Sequence, residues 1–251
     1  GKHAMRVLCG LVLAVVPSLG AVGSSVDAGG DVSARLVSKT SAWLEAAPAL
    51  PEGLTVQLCL GNASCATELV PDSAVAAVGE EGFVVRTTCS GDGVVSIAVR
   101  GGSLRGTAYG AYDALDRLGV RFLHPLGPTV LSTSPLEAAS DICELDLSEA
   151  PHWPLRVWHY HTQHPLELTE VLNGFNSTAG QTWDEMLDEV DLLLQWLVAN
   201  RQNTLEWLLL YADEYKDFAA SDLRQARLRS LTNMAHDYGL MAAAGVPLSL
   251  R

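Results

Sequence analysis

The sequence predicts an α/β fold in two parts, a small α+β N-terminal unit followed by an incomplete TIM-type barrel made of its first three β/α units. Three observations carry this. Residues 154–211 read as strand, long helix, strand, and a parallel strand pair needs such a crossover. A further unit of the same kind follows, with a helix over about 221–238 closed by Gly239 and a small-residue strand over 240–246. Ahead of both, two alternating runs at 82–88 and 94–100 are joined through Ser90-Gly91-Asp92-Gly93, and Asp-Gly between alternating runs is a strong hairpin signal.

The remaining elements follow in chain order. Lys2, His3 and Arg6 precede an apolar run at 7–16, and small residues Gly20, Ala21, Gly23 and Ser24 come next. That is the pattern of an export signal, starting at Met5 and cleaved within 20–25. The expected organisation is therefore a signal over 1–25, the N-terminal unit over 26–150 and the barrel part over 151–251. Residues 26–34 are rich in Gly, Ser and Asp and read as a loose linker. Leu36, Val37, Trp43 and Leu44 recur at helical spacing over 34–46, and Pro48 and Pro51 stop that helix. Residues 55–60 alternate as a strand.

Gly101-Gly102-Ser103-Leu104-Arg105-Gly106 then leads into a helix over about 107–118, with Thr107 as candidate N-cap. No Gly-Lys-Ser/Thr follows, so this is a tight turn and not a phosphate cradle. Residues 126–154 are rich in Pro and Ser and read as a connection holding one or two short strands. In the barrel part, Leu187, Val190, Leu193, Leu194 and Leu197 form the buried stripe of the helix at about 183–200. Three such strands cannot close an eight-stranded barrel. The chain reads as the front of a barrel or as a smaller open sheet.

A length of 251 residues with 48 % apolar side chains suits one large or two modest packed domains. The net charge of −13 argues against nucleic acid, which needs a concentrated basic surface, and disfavours anionic membranes. No stretch of the mature chain is long enough to span a bilayer. Loss of the signal removes Cys9 and leaves Cys59, Cys65, Cys89 and Cys143, an even number in an exported chain. Three pairings are possible; Cys59–Cys65 closes a short loop and is preferred, leaving Cys89–Cys143. The sequons at Asn62 and Asn176 agree with a secreted glycoprotein.

One long phrase carries a family resemblance: Leu104-Arg-Gly-Thr-Ala-Tyr-Gly-Ala-Tyr-Asp-Ala-Leu-Asp-Arg-Leu-Gly-Val-Arg-Phe-Leu-His-Pro125. It resembles the end of the small domain, of zincin-like or hexosaminidase N-domain type, that precedes the barrel in β-hexosaminidases and α-glucuronidases. Asn203-Thr-Leu-Glu-Trp207 is similar to the second barrel strand of hexosaminidases, Asn-x-x-His-Trp, and Ala235-His-Asp-Tyr-Gly-Leu to the approach to the third. The resemblance implies a secreted glycoside hydrolase acting on a glycan, with no cofactor. It matches Arg156 to a sugar-contacting arginine. It also marks departures: His161 stands in place of an aspartate, Glu206 in place of a histidine and Tyr211 in place of an aspartate. The catalytic Asp-Glu pair of that family is expected beyond Arg251, which leaves an inactive relative open.

Glycosidic cleavage typically needs two carboxyl groups. Candidates here are Glu167, Glu170, Glu206, Asp213 and Glu214, of which Asp213 and Glu214 follow a strand end, where barrel enzymes place their chemistry. Arg156, His161, His164 and Tyr211 are the candidate substrate contacts. His159 and His161 share one face of a strand. Imidazoles so placed suit zinc, which makes a zinc amidohydrolase the rival reading. A non-catalytic carbohydrate-binding relative is the third. Trp158, Trp183 and Trp207 are candidates for sugar stacking or for core.

Overall fold

The computed structural model describes residues 24–160, 168–209 and 221–245. The first part opens with β1 (Ser25–Ala28), α1 (Ala34–Ala46), β2 (Thr55–Leu60), α2 (Ser64–Leu69) and α3 (Asp72–Val78). It continues with β3 (Phe83–Cys89), β4 (Val94–Gly101), α4 (Leu104–Arg117) and the short strands β5 (Val120–Arg121) and β6 (Thr129–Val130). It ends with α5 (Ser140–Cys143) and β7 (Asp146–Glu149). The second part holds β8 (Val157–Tyr160), α6 (Thr169–Leu172), α7 (Trp183–Ala199), β9 (Thr204–Leu208), α8 (Asp222–Asp237) and β10 (Met241–Gly245). No helix of the described residues is long and apolar enough to cross a membrane.

The first sheet is mixed, in the order β1-β2-β4-β3-β7, with β1, β2 and β4 parallel and β3 antiparallel to both its neighbours. Its strands alternate as a two-faced sheet must. Val95, Ile97 and Val99 point toward α1 and α4, while Ala98, Val84 and Cys59 point toward α2 and α3. The second sheet, among the described residues, has three parallel strands in the order β8-β9-β10. Helices α7 and α8 pack against α4 and α1, so four helices lie between the two sheets.

Helix α4 is the centre of the molecule. Nine of its residues are buried, Tyr109 and Tyr112 among them, because the first sheet covers one side and α7 and α1 cover the others. A helix covered over most of its length carries small or apolar residues there, while Asp113, Asp116 and Arg117 keep part of its last turns at the surface. Its entry shows why the glycines are there. A Cβ on Gly101 would lie 2.1 Å from the Thr107 amide nitrogen, and one on Gly106 would lie 2.3 Å from the Gly82 carbonyl. The glycine-rich turn is thus a packing contact between backbones. One continuous core follows, from Leu36 and Ile97 in the first part to Leu194 and Tyr238 in the second.

Several expectations need correction. Residues 26–28, read as part of a loose linker, and Ser25, given to the signal, form edge strand β1, because pairing with Gln57 to Leu60 outweighs a polar local sequence. Helix α4 starts at Leu104, one turn early. Ser103 is its cap, accepting from the Gly106 amide, while Thr107 is buried and accepts from the Gly101 amide. The expected stripe of α7 is buried at Val190, Leu193, Leu194 and Leu197, but Met186 takes the place given to Leu187. Helices α2 and α3 are too short for a periodic signal. The four cysteines form Cys59–Cys65 and Cys89–Cys143, the preferred pairing. Nearly all of the expected signal lies outside the described residues.

Candidate site at the strand ends

Two polar clusters and one strand-end pair stand out. The first cluster is at the N-terminal ends of the second sheet. Glu81, in the turn between α3 and β3, receives Arg105 of α4, Arg156 before β8 and Asn203 before β9; the Asn203 amide lies 3.1 Å from one carboxylate oxygen. Arg156 also donates to the Tyr109 hydroxyl at 3.0 Å and to the carbonyls of Trp153 and Arg201. Arg105 donates to the Gly239 carbonyl at 2.6 Å, just before β10. One carboxylate and its partners therefore tie all three strand entries to the first part. Burial alone would raise the Glu81 carboxyl, but the hydrogen bonds from Arg156 and Asn203 and the charges of Arg156 and Arg105 hold it below its ordinary value.

The second cluster lies between α1, α7 and α8. Asp191 is buried and receives Arg35 at 3.0 Å, Lys39 at 2.9 Å, the Tyr238 hydroxyl at 3.2 Å and the Gln195 amide at 2.8 Å. Gln195 accepts from the Trp43 indole at 2.6 Å. Both clusters are structural joints, far more polar than the apolar pattern suggests. Nothing in the periodicity marks Glu81, and Asp191 and Gln195 sit on a buried helix face that is otherwise apolar.

The chemistry-bearing pair lies on the other face of the second sheet, near the C-terminal ends of its strands. His159 of β8 is in register with Glu206 of β9, and Glu206 with Ala243 of β10. The His159 Nδ1 lies 3.5 Å from a Glu206 carboxylate oxygen, and both side chains are about two-fifths exposed, at 43 % and 40 %. Trp158 points the opposite way, edge-on to Trp196 of α7 with ring centroids 4.8 Å apart. Trp207 is buried, so these two indoles belong to the helix side. The Arg227 guanidinium lies over the Trp183 ring at 4.6 Å.

Arg156, expected at sugar, sits at the opposite end of its strand and is held by the Glu81 cluster. Glu170 is described and braces a loop, accepting from the Thr178 amide at 3.0 Å. His161, His164, Glu167, Tyr211, Asp213 and Glu214 lie outside the described residues. Asn62 and Asn176 are exposed; their side-chain oxygens accept from Arg100 at 2.7 Å and Arg227 at 3.0 Å. Among the described residues one grouping has three potential metal ligands, Asp27 with Cys59 and Cys65, and its thiols are consumed by the disulfide.

The fold is thus a mixed α/β unit leading into parallel β/α units, with polar residues at the strand ends. No family model and no curated protein matches the chain. A solved structure, described as a family GH115 4-O-methyl-α-glucuronidase with specificity for decorated arabinogalactans, is similar over 88 % of this chain with a TM-score of 0.55. Identity is 16 %, so the likeness is one of fold, and this chain spans 28 % of the length of that one.

Proposed function

We propose that this chain belongs to a secreted glycoside hydrolase of α-glucuronidase-like kind, acting on a glycan. The observation that carries the reading is the fold likeness across 88 % of the chain, which includes both the mixed sheet and the parallel strands. The two disulfides suit an exported protein. In this reading the substrate approaches the C-terminal ends of β8 to β10. His159 and Glu206 line the mouth there, and His161, His164, Tyr211, Asp213 and Glu214 are the further residues this reading assigns to the substrate. Glu206 orients His159 through the imidazole Nδ1, and the histidine contacts sugar hydroxyls. Hydrolysis by paired carboxyl groups needs no cofactor. Arg156 serves the junction beneath the strands.

The test is made on the full-length secreted protein with an aryl α-glucuronide and a uronate-decorated arabinogalactan. Release of the uronic acid is expected, and H159A and E206Q should each lower kcat/KM about 100-fold without changing Tm. A folded protein that releases no uronic acid from either substrate would sink the proposal.

A further inference from the structure

A groove of about 290 Å³ lies at the other end of the second part, between the turn at Glu80 and the loop Pro151-His152-Trp153-Pro154. We propose that this groove binds a neutral glycan chain, with the Trp153 indole as its platform, away from the mouth at the strand ends. The ligand class rests on the glycosidase reading above; the site itself rests on four observations.

Trp153 is 67 % exposed, an unusual position for the largest apolar side chain. Its loop is held in place: the Trp153 carbonyl accepts from Arg156, and the Pro154 carbonyl accepts from the Asn203 amide at 2.8 Å. Prolines on both sides restrict the loop further. His152 meets the indole edge-on, with ring centroids 5.0 Å apart. The backbone that carries the indole is therefore held in place, which reduces the ordering needed on binding.

The opposite wall decides the ligand. Glu80 is exposed, and Glu81 lines the same groove. Their two negative charges are matched by Arg105 and Arg156, both bound to Glu81. A locally neutral wall gives a cation no net attraction, although an indole alone would attract one. The same neutral wall gives an anion no net attraction either. A neutral polyol fits both walls. A pyranose ring offers a C–H face to the indole and hydroxyl donors to the carboxylate. Trp153 precedes β8, so a chain held here is gripped on the side of the protein opposite to His159 and Glu206.

The experiment uses the full-length secreted protein and soluble neutral arabinogalactan, followed by affinity electrophoresis and calorimetry. Binding is expected to weaken about ten-fold or more in W153A, to survive largely in W153F and to weaken a few-fold in E80Q. It should be unchanged between about 0.02 M and about 0.5 M salt. Unaltered binding by W153A, or absence of binding by the wild type, would overturn the site. Affinity that collapses with salt, or a lysine-rich peptide that displaces the glycan at low salt, would assign the groove to a cation and overturn the glycan. Hydrolysis of the small aryl glycoside is expected to be the same in W153A as in wild type. Trp153-dependent retention without any hydrolysis would sink the enzymatic reading and leave this subsite standing.

Discussion

Glu81 is the residue on which most of the junction turns. It accepts from two arginines and an asparagine that belong to three different elements, and 22 % of its side-chain surface meets water. Its carboxyl is lowered in the folded state, so its contribution is present above the ordinary value of 4.5 and is lost as the pH falls through the lower folded value. That contribution should therefore fade as the pH falls below about 4.5. E81Q keeps the shape and removes the charge. It should cost about 2 kcal/mol at pH 7, below the roughly 3–5 kcal/mol of a fully buried pair because of that exposure. Its urea midpoints should also fall less between pH 7 and pH 3 than those of the wild type. Parallel pH curves for the two proteins would refute the assignment. Glu81 was illegible in the sequence because its partners lie 24, 75 and 122 residues away. Strand alternation placed His159 with His161 and Glu206 with Leu208, but that His159 and Glu206 share one face needed the register of β8 on β9.

Among the elements, the long ones were readable and the short ones were not. Helices α1, α7 and α8 span 13, 17 and 16 residues, enough turns for a periodic stripe and clear stops. Helices α2 and α3 have 6 and 7 residues, and their existence depends on the sheet face they cover and on the Cys59–Cys65 link into α2. The two disulfides differ in the loops they close, with sequence separations of 6 and 54. The entropy model then gives about 2 kcal/mol for Cys59–Cys65 and about 4 kcal/mol for Cys89–Cys143. Paired serine replacements, C59S/C65S and C89S/C143S, should lower the chemical-denaturation free energy in that order. Equal losses, or the reverse order, would show that native packing and not loop closure sets the cost. Cys89–Cys143 also ties the end of β3 to α5, just ahead of β7, where the sequence offers only a proline-rich connection.

Across the whole molecule, the boundary near residue 150 separates two topologies but not two cores. Leu115, Leu118, Leu193 and Leu197 belong to a single cluster, and Tyr238 packs edge-on against Tyr112 with ring centroids 6.5 Å apart. An interface of this kind resembles a domain interior more than a transient contact. Residues 24–150 produced alone should therefore be poorly packed: dye-binding, lacking dispersed amide resonances and without a sharp thermal transition, while the full chain unfolds in one step. A cooperative transition in the isolated piece would contradict the shared core. The sequence showed where the chain changes pattern, because periodicity is local. It could not show that the faces on either side of that change meet, because no local signal records which helix covers which.

Helix α4 lies between a sheet on one side and helices from both parts on the other. An amide in its buried middle, from Gly106 to Tyr112, reaches water only when both halves separate. Its protons should thus be among the slowest in the protein to exchange with deuterium, at rates set by global unfolding, while those of α2 and α3 on the outer face exchange through local opening. The timing of exchange in one 14-residue helix would then report the stability of the entire chain.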